Sequence, residues 1–269
     1  MPLSATTIHV FCARRSCENN RVNPWMIAVP SALAGVSALI AYGATNPQAQ
    51  LFGPTVCATS PRKLAITFDD GPNPVITPKV LDLLDRHNAR ATFFVVGRYV
   101  RECPELVREI SARGHLVGNH TQTHPNLFFF GPAQIRDELR RCQDEIASAL
   151  GAAPVWFRPP FGFRNPWLAG AASELNLQVV LWTQLPGDWR APTVEWLIGR
   201  LQTIAMRATR NGPYANRTGD ILCLHDGSHR GQYADRTRTV AALEYWLPRW
   251  RDLGLEFATI QEAVHTPAH

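Results

Sequence analysis

From Pro61 onward, short apolar runs alternate with segments in which apolar residues recur every three or four positions. The short runs have the length of strands that are covered on both faces, and the periodic segments have the spacing of amphipathic helices. We predict seven strands, at Leu64–Phe68, Thr92–Val96, His115–Gly118, Val155–Arg158, Gln178–Trp182, Ile221–Leu224 and Glu256–Thr259.

The predicted helices lie between these strands. Thr77-Pro78 places a proline in the first turn of one of them, and the later ones cover residues 104–112, 132–150, 166–175, 194–208 and 238–253. Because the alternation continues without a second break in composition, we predict one α/β domain over residues 61–269. In such folds functional side chains collect at the C-terminal ends of parallel strands.

Residues 1–60 form a leader of different character, with no charged residue between Arg21 and Arg62. Residues 25–43 are nearly all apolar or small, which is about the length of a bilayer-spanning helix. We expect a membrane anchor, with a cleaved signal peptide or a disordered leader as alternatives. Arginines precede this run, so the positive-inside rule predicts that the large C-terminal part lies outside the cytoplasm, either membrane-anchored or secreted.

Composition excludes several classes. Among 269 residues the net charge of +5 is dispersed, and no block of lysine and arginine is interleaved with aromatic residues. We therefore expect no nucleic-acid partner. None of the six cysteines forms a CxxC pair, so a structural zinc cluster is not expected. We expect free buried thiols, although Cys103 and Cys142 could pair.

The first candidate chemistry is at the end of the first strand, where Asp69 and Asp70 are adjacent. Two carboxylates there repel each other and lose hydration, which a bound cation would offset. The alternative is an Asp-Gly-Pro turn with one capping acid. His120 and His124 follow the third strand, and their spacing predicts one face of a helical turn. One carboxylate and two imidazoles suit zinc or a similar divalent ion with open positions.

Three further strand ends carry unusual residues. Arg158–Gly162 contains a double proline, and its arginine could hold a carboxylate in a bidentate fork. Asp188 and Trp189 follow the fifth strand, and Leu224 and His225 end the sixth. Each feature alone admits a structural interpretation, but together the five strand ends predict a shared site. Three other histidines lack partner spacing, and we predict surface or packing roles for His87, His115 and His229.

This ordered set resembles the polysaccharide deacetylase family, the NodB homology domain of carbohydrate esterase family 4. The resemblance covers about residues 62–262 and implies an enzyme built on a single distorted (β/α) barrel with about seven parallel strands. Two departures are Phe161, where tyrosine is common, and Leu185, where another acid often stands. The matching motifs are Thr67-Phe68-Asp69-Asp70, His120–His124, Arg158–Gly162, Asp188-Trp189 and Leu224-His225.

The resemblance also implies roles at the metal. It implies that Asp70, His120 and His124 bind one divalent ion, for which we expect zinc. Asp69 is implied as the general base that takes a proton from the attacking water, and Arg158 as the residue that holds Asp69 in place.

The remaining roles concern the substrate. The resemblance implies that His225 protonates the leaving amine and that Asp188 raises its pKa. The N–H of Phe161 would stabilise the oxyanion, and Trp189 and Leu224 would enclose the acetyl methyl group. The implied substrate is an N-acetylated sugar of a chitin-like polysaccharide or of peptidoglycan. Alternatives are an O-deacetylase of acetylated xylan, another non-peptide amide hydrolase, or a non-catalytic glycan-binding protein.

Overall fold

The computed structural model of the protein describes residues 24–209 and 219–264. The chain divides into a unit that ends at Ile40 and a compact unit that begins at Ala41. The domain boundary that we predict at residue 61 therefore lies inside the second unit. Residues just before that boundary are hydrogen-bonded to the rest of the second unit, since the N–H of Val56 donates to the carbonyl oxygen of Val179.

The first helix, α1, covers Pro24–Thr45 and contains Pro30. No helix in the described part of the chain is both long enough and apolar enough to cross a membrane. The predicted transmembrane helix at residues 25–43 is therefore not supported. The alternative of a cleaved signal peptide stays a prediction.

The compact unit is built on one parallel sheet that matches the predicted barrel. The strands are β1 (Lys63–Gly71), β2 (Ala91–Val95), β3 (Leu116–Asn119), β4 (Trp156–Phe157), β5 (Gln178–Val179), β6 (Asp220–His225) and β7 (Glu256–Phe257). The strand order is β5-β4-β3-β2-β1-β6, and β7 pairs with β1. Main-chain bonds from Thr183 to Ile221 and from Cys223 to Gln184 connect the segment after β5 to β6, which closes the barrel.

Helices cover the outside of the barrel. The helices of this unit are α2 (Thr77–Arg86), α3 (Gly97–Glu102), α4 (Pro104–Ala112), α5 (Pro132–Leu150), α6 (Leu168–Glu174), α7 (Val194–Ala208), α8 (Thr237–Asp252) and α9 (Ile260–Val264). The predicted ranges of α4, α5 and α7 agree with the structure, whereas α3 and α9 were not predicted because they are too short to show a period.

The two faces of β1 belong to different layers. Leu64, Ile66 and Phe68 pack in the apolar cluster between the sheet and the helices. Ala65 belongs to the cluster that fills the barrel, and Asp69 lies on the same face because side chains alternate along a strand. The barrel interior is therefore apolar at its base and carries a carboxylate at the end where the parallel strands terminate.

Close packing of the central strands gives a test of this architecture. At Gly118 in β3, an added Cβ would lie 2.6 Å from the ring of Phe94 and 3.2 Å from the carbonyl oxygen of Trp156. We expect Gly118→Ala to lower the free energy of unfolding by about 1–3 kcal/mol, as overpacking does. Urea unfolding followed by circular dichroism measures the change.

Gly170 in α6 supplies the matched control, because nothing lies within 4 Å of an added Cβ there. Gly170→Ala should be neutral or stabilising by up to about 1 kcal/mol, since alanine favours a helix. Equal stability of Gly118→Ala and the wild type would show that β2, β3 and β4 are not packed as described.

Candidate active site

A β-bulge at the end of β1 turns two consecutive carboxylates into one cleft. Asp69 pairs with Phe94 and Gly71 with Val95, so Asp70 is an extra residue in the ladder. Its φ of 70° is left-handed, which costs a residue other than glycine roughly 1 kcal/mol. In a regular strand neighbouring side chains face opposite sides, but here Asp69 and Asp70 both line the cleft.

Asp70 faces two imidazoles in a set that can hold a metal. The ligand atoms of Asp70, His120 and His124 lie within 4.8 Å of one another, and all three side chains are buried. Nε2 of His124 is 3.0 Å from Oδ1 of Asp70, and Nε2 of His120 is 3.6 Å from it. That oxygen has no hydrogen-bond partner in the described part of the chain. A divalent cation between these donors would satisfy it, so the residues fit the expected ion.

The electrostatics of this set suit metal binding. Burial raises the pKa of Asp70, but the imidazoles of His120 and His124 beside its carboxylate outweigh burial and hold that pKa well below its usual value. Burial lowers the pKa of His124, which favours the neutral imidazole that a metal requires. Nδ1 of His120 lies 2.7 Å from the carbonyl oxygen of Arg158, which fixes the orientation of that ring.

The segment from His120 to His124 is a loop, so the predicted helical turn is wrong. Thr121 and His124 have φ values of 68° and 61°. The side chain of Asn119 accepts a hydrogen bond from the N–H of Thr121, and the hydroxyl of Thr121 accepts one from the N–H of His124. These bonds replace helical ones, and they still bring the two imidazole rings to 4.9 Å between centroids.

Arg158 holds Asp69 from inside the barrel. Nη1 of this fully buried arginine donates to Oδ1 of Asp69 at 2.8 Å and to the hydroxyl of Thr67 at 2.6 Å. Nη2 donates to the carbonyl oxygen of Leu181 at 3.2 Å. The predicted bidentate fork is therefore wrong, because the guanidinium divides its N–H groups among three acceptors. Oδ2 of Asp69 remains directed towards Cys223, whose Sγ is 3.3 Å away.

Asp188 and His225 form a second buried pair. Oδ1 of Asp188 lies 2.9 Å from Nδ1 of His225, and Oδ2 accepts from the His225 N–H at 2.9 Å. Burial lowers the pKa of His225, but the Asp188 carboxylate outweighs burial and raises it to about 9. The imidazole is therefore protonated near neutral pH. Thr239, which we did not predict at the site, donates to Oδ2 at 3.0 Å.

Phe161 and Trp189 lie at the cleft, which has a volume of about 770 Å³. Phe161 has a left-handed φ of 58° in the double-proline turn. Its N–H has no hydrogen-bond partner among the described residues, whereas the N–H of Gly162 bonds to Pro159. The Trp189 ring packs edge-on against His225 at 4.9 Å between centroids. An amide donor and an aromatic wall therefore lie beside the paired groups.

Leu224 does not line the cleft, so its predicted place in the acetyl pocket is wrong. Its side chain is fully buried in the cluster between sheet and helices. Cys223 and His225 line the cleft instead, because alternate residues of β6 face opposite sides. Leu185 and Trp182 provide apolar surface in the cleft.

His229 belongs to the site, although its lack of partner spacing predicted a surface or packing role. Its ring stacks on His124 at 4.7 Å with planes 11° apart. Its Nδ1 lies 3.9 Å from Oδ2 of Asp70, and it lines the cleft. The signal available in the sequence was its place in the loop directly after His225. His115, by contrast, packs as predicted, with Nδ1 accepting from the N–H of Ala91.

Comparison with known proteins agrees with this arrangement. A family model described as polysaccharide deacetylase matches residues 57–180. The chain is 38% identical over 202 residues to a chitooligosaccharide deacetylase of Bradyrhizobium sp. (strain ANU 289), covering 72% of this chain and 87% of that protein. It is 37% identical over 203 residues to a peptidoglycan-N-acetylglucosamine deacetylase of Bacillus cereus, covering 75% and 87% respectively.

A solved structure shows the same fold. The Bc1960 peptidoglycan N-acetylglucosamine deacetylase, crystallised with an N-oxidanyl-benzamide compound, superposes with a TM-score of 0.69 at 27% identity. The match covers 79% of this chain and 93% of that structure.

The Asp188–His225 pair predicts a pH-dependent contribution to stability. Because the folded-state pKa of His225 is about 9 and the ordinary value is 6.5, the stabilisation is fully present below pH 6.5. It is lost as the pH rises through about 9. In chelator-treated protein, Asp188→Asn should therefore be less stable than the wild type at pH 6, and the difference should shrink by pH 10. Denaturant unfolding across this range measures it.

Thr239→Val is the control, because it removes a hydrogen bond to Asp188 but keeps the carboxylate. Its stability deficit should change little across the same pH range. A deficit of Asp188→Asn that is constant from pH 6 to pH 10 would contradict the electrostatic account of this pair.

Proposed function

Because the chain belongs to the polysaccharide deacetylase family, we propose that it hydrolyses acetyl groups from N-acetylated sugars of a chitin-like glycan or of peptidoglycan. The observation that carries this proposal is the meeting of three groups at one cleft: a buried metal-donor set, a carboxylate held by an arginine and an imidazolium held by a carboxylate. The names of the relatives, which specify chitooligosaccharide and peptidoglycan N-acetylglucosamine deacetylases, support the substrate class.

Asp70, His120 and His124 would hold the divalent ion, for which zinc suits the donor set. When bound, such an ion supplies Lewis acidity, which polarises a carbonyl and can lower the pKa of water to about 7. The rest of the chemistry is assigned to the side chains around this set.

Asp69 is the proposed general base. Arg158 occupies its Oδ1, and Oδ2 faces the cleft, where it would take the proton from the attacking water. The N–H of Phe161, which bonds to no described residue, would donate to the oxygen of the tetrahedral intermediate. The fixed positions of these groups mean that little reorganisation accompanies attack.

His225 is the proposed general acid. Nδ1 is bound to Asp188, so the remaining nitrogen, Nε2, would give its proton to the leaving amine. The pKa of about 9 keeps that proton in place at neutral pH. Trp189 and Leu185 would border the acetyl group.

We also propose that the domain acts outside the cytoplasm. The glycans named for its relatives and the arginine-flanked apolar run near the N-terminus support this proposal.

Acetate release under metal control tests the proposed reaction. Chelator-treated protein should lose activity on chitooligosaccharide and on peptidoglycan, and zinc returned at one equivalent should restore it. Acetylated xylan, assayed in parallel, distinguishes N-deacetylation from O-deacetylation. Activity that persists after metal analysis shows complete removal would exclude the proposed reaction.

The role of His225 predicts a dependence on the leaving group. His225→Ala should lose about 10²–10⁴-fold on the amide substrate, where the amine must be protonated. It should lose much less on p-nitrophenyl acetate, whose leaving group departs without a proton. Steady-state rates on both substrates, with zinc content measured alongside, make this comparison.

His87→Ala is a suitable control, because His87 lies outside the cleft. It should leave both rates unchanged. Equal losses of His225→Ala on amide and ester would refute the acid role.

A further inference from the structure

A second set of metal-donor atoms lies beside the first. Asp69, Cys223 and His225 each offer one ligand atom, and these atoms lie within 4.8 Å of one another. The sheet builds this set, because Asp69 and His225 are register partners on the parallel strands β1 and β6. Cys223 shares their face, since it is two residues before His225.

Each of these residues offers one donor atom to a shared space. Arg158 occupies Oδ1 of Asp69, so Oδ2 is the oxygen that faces the thiol, and it accepts a hydrogen bond from Sγ of Cys223 at 3.3 Å. Asp188 occupies Nδ1 of His225, which leaves Nε2. The outer partners thus orient a carboxylate oxygen and an imidazole nitrogen towards a thiol, as hydrogen bonds to ligands do in metal sites.

The set is open to an ion from the cleft. Only 1% of the Cys223 surface is exposed, but all three residues line the cleft. Thiolate, imidazole and carboxylate together suit thiophilic ions such as zinc and cadmium, whereas magnesium, calcium and manganese prefer oxygen donors.

We propose that Asp69, Cys223 and His225 form a second site for zinc or cadmium, and that its occupation inhibits the enzyme. The inhibitory part rests on the proposed function, because the ion would occupy Oδ2 of Asp69 and Nε2 of His225. These are the atoms assigned to the base and to the acid. An ion bound there blocks both proton transfers while leaving Asp70, His120 and His124 in place.

The exchange balances in charge. The ion forms bonds to sulfur, nitrogen and oxygen, and the thiol proton and the imidazolium proton leave to solvent without any change of oxidation state. Two protons are replaced by one divalent cation, so the net charge of the cleft is unchanged. The Cys223 thiol already donates a hydrogen bond to Oδ2 of Asp69. Because the ion must displace this hydrogen bond, the second site should fill only after the first.

Cadmium titration of the metal-free full-length protein tests the site itself. Wild type should bind a second equivalent that brings a thiolate-to-cadmium charge-transfer absorption in the ultraviolet. Cys223→Ala and the near-isosteric Cys223→Ser should lose the absorption that accompanies the second equivalent. Cys57→Ser, which removes a thiol outside the cleft, should keep it. His124→Ala should weaken the first equivalent but retain the absorption. If both Cys223 variants show this absorption at wild-type size on binding the second equivalent, the proposal is overturned.

Zinc titration of acetate release tests the inhibition. Wild-type activity should rise to a maximum at one equivalent and then fall by about tenfold or more, since general acid–base catalysis contributes at least that much. Each Cys223 variant, normalised to its own maximum, should reach a plateau, and excess manganese should inhibit none of the proteins. Inhibition of the Cys223 variants at the same zinc concentration as wild type would overturn the proposal while the proposed function stands. Absence of acetate release under every condition would refute the proposed function, and the cadmium absorption would still decide the site.

Discussion

The structure depends on keeping two carboxylates, Asp69 and Asp70, side by side at the buried end of one strand. Adjacent like charges in a poorly hydrated place are unfavourable unless each has its own partner. The bulge in β1 lets the two side chains share the cleft while they turn to different neighbours. Asp69 receives the buried guanidinium of Arg158, and Asp70 faces the imidazoles of His120 and His124. Because each carboxylate has its own partner, Asp69 and Asp70 can take different roles.

The barrel converts this constraint into an ordered site. Its strand order places β1 beside β6 on one side and beside β2 and β3 on the other. Asp69 therefore lies in register with His225, and Asp70 faces the histidine loop after β3. Arg158 links β4 to β1 and to the carbonyl of Leu181, so the same side chain that positions the carboxylate also ties the interior of the barrel together.

Much of this arrangement could be predicted from the sequence, because apolar runs and strand-end residues carry strong signals. The seven strands appear where expected, and the acids and histidines at the ends of β1, β3 and β6 line one cleft. What could not be predicted depends on backbone geometry and on long-range contacts. The loop between His120 and His124 follows from side-chain hydrogen bonds to the backbone. Leu224 faces away from the cleft because side chains alternate along β6. Thr239 and His229 reach the site from segments whose sequence carries no recognisable pattern. The predicted membrane span near the N-terminus is not supported among the described residues.

The most direct test of the separated roles compares zinc content and acetate release in Asp69→Asn and Asp70→Asn, both measured on the same dialysed preparations. When one equivalent of zinc is supplied, Asp69→Asn should keep zinc at the wild-type content and lose about 10²–10⁴-fold in rate, because Asp69 supplies the base and is not a ligand of the first site. Asp70→Asn should lose the zinc itself, because it lacks a ligand. Equal zinc content in the two variants, or loss of zinc from Asp69→Asn alone, would contradict the assignment of Asp70 to the metal and Asp69 to the proton.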